Sequence, residues 1–223
     1  MTLFERTVCS YVDRNVHPYF SRAEIRRVGS ATCQYKPKII MESSYPLLTA
    51  EHVRLRCLEP EDLELLYTIE NDPQLWDIGM SRRPYSRFAL RQYIAQQPHD
   101  IYQGNELRLV IEERATAKGI GLIDLTNFSP TDQLAEIGIA ILAEKRGYGY
   151  GQQAIGALER YSCQVFHIRQ LYAHVLSRYN PAAHRLFQEA GFQPVAELPA
   201  WHLYRGKYEA VTVYVKNIEK NAR

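Results

Sequence analysis

Residues 139–151 join a β-branched, strand-like run to a helical one through Gly147, Gly149 and Gly151. Closely spaced glycines let successive backbone N–H groups approach an anion without side-chain collision, and a helix N-terminus adds about half a positive charge. Lys145 and Arg146 adjoin the loop and bring side-chain charge. The chemistry this suits is the holding of a diphosphate. A dinucleotide fingerprint also sets glycines before a helix, but its spacing differs, and what precedes here reads as an antiparallel meander rather than a βαβ unit. Taken alone, the same glycines would also serve a tight turn.

A second segment, residues 180–192, opens on Asn180-Pro181 and closes on Gly191-Phe192, the marks of a helix start and stop. Together the two segments resemble the GNAT superfamily of N-acetyltransferases, whose coenzyme A loop reads Arg or Gln, two residues, Gly, one residue, Gly or Ala. Arg146, Gly149 and Gly151 match it, and residues 180–192 look like that superfamily's second coenzyme-facing helix. The likeness spans residues 51–218 and is nearest the branch of spermidine and ribosomal-protein N-terminal acetyltransferases, with residues 55–63 and 201–208 as less specific flanks. It implies an α/β (α+β) fold, a mixed, mostly antiparallel twisted sheet flanked by helices. It also implies acetyl-CoA as co-substrate and direct attack of a neutral primary amine on the acetyl thioester. By the same resemblance, the backbone of Ile139, Ala140 and Ile141 holds the pantetheine arm like another strand. Arg146, Gly147, Tyr148, Gly149, Tyr150 and Gly151 take the diphosphate, and Asn180, Ala183 and Phe187 face the coenzyme.

A primary alkylamine has a lysine-like pKa near 10.4, so at neutral pH it sheds a proton before it attacks, and a base or water chain must receive that proton. Glu136, on the strand leading to the loop, is either that water-linked base or a strand-edge carboxylate. Asn180 is suited both to contact the coenzyme and to cap its helix; His184 and Arg185 read as solvent-facing. At Phe187, where similar enzymes carry a tyrosine that protonates the departing thiolate, no proton is available. Water, Tyr172 or Tyr179 would have to serve, and among sixteen tyrosines no single one is a specific signal. The missing acid also raises an alternative: a coenzyme A-binding sensor or interaction module that has lost turnover.

The elements that must position these groups follow from periodicity. Strands are expected at 53–58, 107–111, 120–125, 134–141, 171–176, 192–198 and 210–215, the second to fourth of them forming an antiparallel meander. Helices are expected from Pro60, with Leu63, Leu66 and Tyr67 buried; from a Ser86 cap, with Leu90, Tyr93 and Ile94 inward; and from near Gly149, with Ile155, Leu158, Ser162 and Val165 on one side. A last one follows Asn180 and buries Ala183, Leu186, Phe187 and Ala190. Residues 1–45 show no sustained period and read as a poorly ordered extension to a domain at 46–223, with Met41 an alternative start.

Composition narrows the function. The net charge of +2 conceals +4 on residues 1–40 against −2 on the rest, so the body lacks the basic stripe of a nucleic-acid binder. No apolar run approaches the roughly 20 residues of a membrane helix. Cys9, Cys33, Cys57 and Cys163 show neither metal-site spacing nor disulfide density, which points to reduced thiols, no metal and a cytoplasmic protein. The partner is a small-molecule or peptide amine, with homo-oligomerisation open. Glu59, Glu61, Asp62, Glu70 and Asp72 either line a polyamine pocket or form a solvated face, whereas Arg82 and Arg83 would repel a polycation. A peptide N-terminus, an amino sugar or another small amine would instead meet an aromatic wall of Trp201, His202 and Tyr204.

Overall fold

Alternating burial along the strands builds a sheet with two cores. The computed structural model describes residues 46–76, 84–97 and 100–218, all within the unit Ser44–Arg223; the expected extension, residues 1–45, lies outside them, as do Arg82 and Arg83. Strands β1 (Val53–Cys57), β2 (Leu107–Glu113), β3 (Lys118–Ser129), β4 (Leu134–Ile141), β5 (Gln170–Leu176), β6 (Gln193–Tyr204) and β7 (Lys207–Asn217) form one seven-stranded sheet ordered β1-β2-β3-β4-β5-β7-β6. The helices are α1 (Leu63–Glu70), α2 (Pro73–Trp76), α3 (Arg87–Ala95), α4 (Ile101–Gly104), α5 (Tyr150–Val165) and α6 (Pro181–Glu189). The mixed sheet and its meander, β2 to β4, match the expectation. The two four-residue helices were not expected, because elements that short carry no readable period.

Successive strand residues point to opposite faces. One face sends Leu109, Ile111, Ile123, Leu125, Ala135, Ile137, Leu171 and Ala173 against Ala154, Ile155 and Leu158 of α5 and Phe187 of α6. The other sets Val110 and Leu122 against Leu63, Leu66 and Ile69 of α1 and Leu90 of α3. The caps stand where the residue types put them: Ser86 Oγ accepts from the Ala89 N–H at 3.1 Å, and Asn180 Oδ1 from the Ala183 N–H at 3.1 Å. Val165, expected inward, is 42% exposed because α5 ends there.

Residues 199–209, which lie between the bounds expected for the last two strands, instead form their paired ends and the turn that joins them. Arg205 and Gly206 take φ of 47° and 80°, a two-residue left-handed turn whose twist suits a hairpin, so Tyr204 pairs with Lys207. An arginine in that region gives no sequence cue.

Among the described residues β4 and β5 are the one parallel pair, and they part early. Their register covers Leu134↔Gln170 to Glu136↔Tyr172, while β4 stays on β3 up to Gly121↔Ile141 and β5 stays on β7 up to Leu176↔Val211. The loop entering α5 begins where β4 ends, and it is braced from β2. Glu113 accepts from Lys145 Nζ at 2.9 Å on both carboxylate oxygens, from the Tyr150 hydroxyl at 2.7 Å and from Thr116 Oγ1 at 2.7 Å.

Two outcomes follow. Phe187 is 4% exposed, with ring centroids 5.2 Å from Phe192 and 6.1 Å from Tyr214, so Phe187→Ala is expected to cost about 3–5 kcal/mol in denaturant unfolding. The Lys145, Tyr150 and Thr116 donors hold the Glu113 carboxyl down at about 2, from an ordinary 4.5. A carboxyl depressed on folding contributes its stability above its unfolded value and loses it as pH falls through the folded one. Glu113→Gln should therefore melt below the native protein at neutral pH, and the gap should narrow as pH falls from 4.5 towards 2. A gap that stayed constant over that range would show that the brace is not ionic.

Candidate active site

The glycine loop leaves its backbone open on one side. Gly147 and Gly149 have φ of 83° and 77°, and a Cβ on either would meet nothing within 4 Å, so open space lies above them. Gly149 is the N-cap of α5 and offers no side-chain cap, which leaves the first-turn N–H groups without a protein acceptor among the described residues. Arg146 donates from Nε to the Ile141 carbonyl at 2.8 Å and makes no ion pair among the described residues, so its charge remains available at the loop. Tyr148 is 66% exposed and stacks on Tyr150 at 5.9 Å.

One expectation at the loop is corrected, and one gains a second reason. Lys145 does not lend its charge to an anion, because Glu113 already engages it. At Gly151 the missing side chain has a packing reason: a Cβ there would lie 3.1 Å from Leu186 Cδ1 and 3.4 Å from Ile141 Cδ1, so its absence lets α5 pack on α6 and β4, while its N–H stays in the first turn beside the loop.

Backbone direction decides what the parted strand offers. Leu142 N–H donates to the Ile120 carbonyl at 3.0 Å, and in an antiparallel ladder such pairs alternate. Ala140 and Gly138 therefore turn their amides towards β3. Ile139 and Ile141 turn theirs towards the gap that β5 has left, an open edge beside the loop. Asn180 and Ala183 stand at the start of α6, with Ala183 half-buried against the first core and Phe187 wholly inside it.

At the last paired position, polar groups from three strands converge. Glu136 Oε2 accepts from Asn127 Nδ2 at 2.8 Å, and Oε1 lies 2.7 Å from His174 Nδ1. Asn127 reaches it because the β3–β4 register shifts between Thr126 and Ser129, with Asn127 at φ 51°. Tyr172 lies edge-on to His174, centroids 5.6 Å apart, and burial followed by the nearby Glu136 charge pushes its phenol up. Sequence reasoning had singled out Glu136 and Tyr172 but not Asn127 or His174. The available signal was the i, i+2 spacing of Tyr172 and His174, which places both on one strand face.

The remaining expected groups lie elsewhere. Asp62 is held by Arg56 at 2.6 and 2.8 Å, and Glu70 by Arg108 at 2.7 Å. Asp72 caps α2 through the Gln74 N–H at 2.9 Å, leaving Glu59 and Glu61 as the exposed acids of the group. Trp201, His202 and Tyr204 are on edge strand β6, two strands from β5, where Tyr204 stacks on Tyr179 at 4.3 Å. His184, expected to face solvent, points inward: its Nε2 donates to the Leu176 carbonyl at 3.0 Å and its Nδ1 receives the Tyr214 hydroxyl at 2.8 Å.

Comparison with known proteins places this geometry. The family described as acetyltransferase (GNAT) domain matches residues 52–193. The spermidine N(1)-acetyltransferase of Vibrio cholerae serotype O1 is 29% identical over 158 residues, covering 70% of this chain and 88% of that protein. That of Escherichia coli K12 is 27% identical over 161 residues, covering 72% and 83%. A crystal structure of the Vibrio cholerae spermidine N-acetyltransferase with CoA and spermine superposes with a TM-score of 0.67 at 26% identity, covering 74% of this chain and 95% of that one. A dodecameric structure of the same enzyme in an intermediate state gives 0.63 at 27% identity, covering 75% and 94%. With its parted strands, its open glycine loop and a family match over most of its length, this chain belongs to the GNAT acetyltransferases and is an acetyl-CoA-dependent N-acetyltransferase.

Proposed function

We propose that the protein moves the acetyl group of acetyl-CoA onto a primary amine of a polyamine, with a peptide N-terminus or another small amine as the competing acceptor. The observation that carries this reading is the gap between β4 and β5, bounded by the glycine loop at one end and Glu136 at the other. The N–H groups of the loop and first turn, from Gly147 to Gly151, with Arg146, would hold the diphosphate; Ile139 and Ile141 would pair with the amides of the pantetheine arm; Tyr148, Asn180 and Ala183 would border it. Ala140 and Phe187 support this site from behind, as Gly151 does by its close packing. Acetyl-CoA supplies an activated acyl group, and the protein's contribution is to align it with the amine, an effect worth about 7–11 kcal/mol in favourable cases.

The polyamine assignment rests on the named activity of the similar enzymes. The acids near α1 give it limited support, since Asp62 and Glu70 are already paired with arginines. A reducing, cytoplasmic setting belongs to the same reading, supported by the free thiols of Cys57 and Cys163, and no helix among the described residues is long and apolar enough to cross a membrane. Assembly of several copies is also part of it, supported by the dodecameric similar structure.

Thiol release from acetyl-CoA, measured with spermidine, glucosamine and a peptide N-terminal amine, tests the reading. Turnover is expected, fastest with spermidine. Saturable acetyl-CoA binding without thiol release for any acceptor would instead identify a sensor, the role that Phe187 in place of a proton-donating tyrosine would favour. Gly149→Val, which fills the open space over the loop, should weaken acetyl-CoA binding in calorimetry; near-native affinity in a folded variant would move the diphosphate elsewhere.

A further inference from the structure

We infer that the group receiving the amine's proton is Nε2 of His174, and that Glu136 is its positioning carboxylate rather than the base itself. The inference rests on the acetyl-transfer reading and assigns its proton step. Both oxygens of Glu136 are engaged, by Asn127 and His174, and the side chain is only 13% exposed. An ionised carboxylate accepts and cannot donate, so the 2.7 Å contact requires the hydrogen on His174 Nδ1. That tautomer leaves the lone pair on Nε2, which makes no hydrogen bond among the described residues, on a side chain 31% exposed. The edge-on ring of Tyr172 limits rotation of the imidazole. A carboxylate that orients a histidine and stabilises its protonated form is an established solution for a base at neutral pH.

The groups facing His174 from its surroundings are few. They are Glu136 on β4, Asn127 on β3, Tyr172 on β5, and the uncharged Val213 and Val215 on β7. The charged residues further along this face, Arg108, Asp124 and Glu70, are paired with one another.

In the step proposed, one N–H bond of the ammonium breaks, its electron pair stays on nitrogen, and the proton is held on Nε2 as imidazolium against Glu136. The freed lone pair forms the N–C bond as the C–S bond breaks. The second nitrogen proton leaves with the thiolate as thiol, and His174 returns its proton to water, so amide, thiol and one proton are the products.

His174→Asn separates the two assignments, because the asparagine amide nitrogen overlays Nδ1 and still donates to Glu136 while Nε2 is gone. With the fastest of the three acceptor amines, this variant should lose about 10²–10⁴-fold in kcat at unchanged KM for acetyl-CoA. Its rate should climb with pH where the native profile levels off. Glu136→Gln should also slow the enzyme, since Asn127 and His174 reach different oxygens of Glu136 and the amide sets an NH2 donor against one of them. Histidine nitrogen NMR of the native protein should show His174 protonated at Nδ1 under neutral conditions. A folded His174→Asn protein within a few-fold of native kcat, or an Nε2-protonated ring, would overturn the assignment to His174 alone. A native protein that acetylates none of the three amines would overturn the acetyl-transfer reading, and the base with it.

Discussion

β4 and β5 share three register pairs and then separate, and the geometry of the site follows from that parting. A parallel pair must be joined by a crossover, here α5, so the helix start falls beside the end of β4. Between Glu136 and Ile141 the strand runs about 17 Å at the usual rise per residue. Along that length its outward amides, at Ile139 and Ile141, have no strand to bond among the described residues. Backbone groups left open to water are satisfied by it, and an extended ligand carrying amides of its own replaces that water with little net loss. A loop with open backbone amides at one end and a carboxylate–imidazole pair at the other therefore suit a long molecule with a charged tail and a reactive head.

The second face of the sheet shows why few charges remain for chemistry. Near β1, Arg54 and Arg56 share Glu112, and Arg56 also engages Asp62; near α1 and α3, Arg108 binds Asp124 and Glu70 beneath the Tyr93 ring. Removing one partner from such a half-buried pair leaves the other charge uncompensated, and an incoming cation competes with an arginine already in bidentate geometry at Asp124. These networks order the face without advertising a site. Arg146 and the outward side of His174 stand apart from them, one at each end of the gap.

What the sequence made readable was local. The bounds of β4 coincide with expectation because apolar residues run from Ile137 to Ala143 before the charged residues 144–146, and the Ser86 and Asn180 caps stand where their side-chain oxygens meet the first-turn amides. What it hid depends on contacts between distant residues. Lys145 reads as an anion ligand until Glu113, 32 residues away, is seen to hold it. Gly151 reads as one more loop glycine until Leu186 is found against it. His184 reads as solvent-facing until the Tyr214 hydroxyl, 30 residues on, meets its ring. His174 carries no motif at all; only the parallel register of β4 with β5 brings it to Glu136.

Phenylalanine at position 187 in place of a proton-donating tyrosine carries little weight, and the two protons of the reaction explain why. A primary alkylamine with a pKa near 10.4 is almost wholly protonated at pH 7, and exposing its lone pair there costs about 4.6 kcal/mol. A thiol with a pKa near 8.5 leaves as thiolate with far less assistance, so a dedicated acid contributes little at that end. The ring of Phe187 lies instead against Phe192 and Tyr214, and the Tyr214 hydroxyl is committed to His184 and Gln188. On the proposed roles, a core that packs Phe187 where a proton donor would stand, while three strands converge on Glu136 and His174 where the amine's proton would go, would put its polar groups where the larger free-energy demand lies.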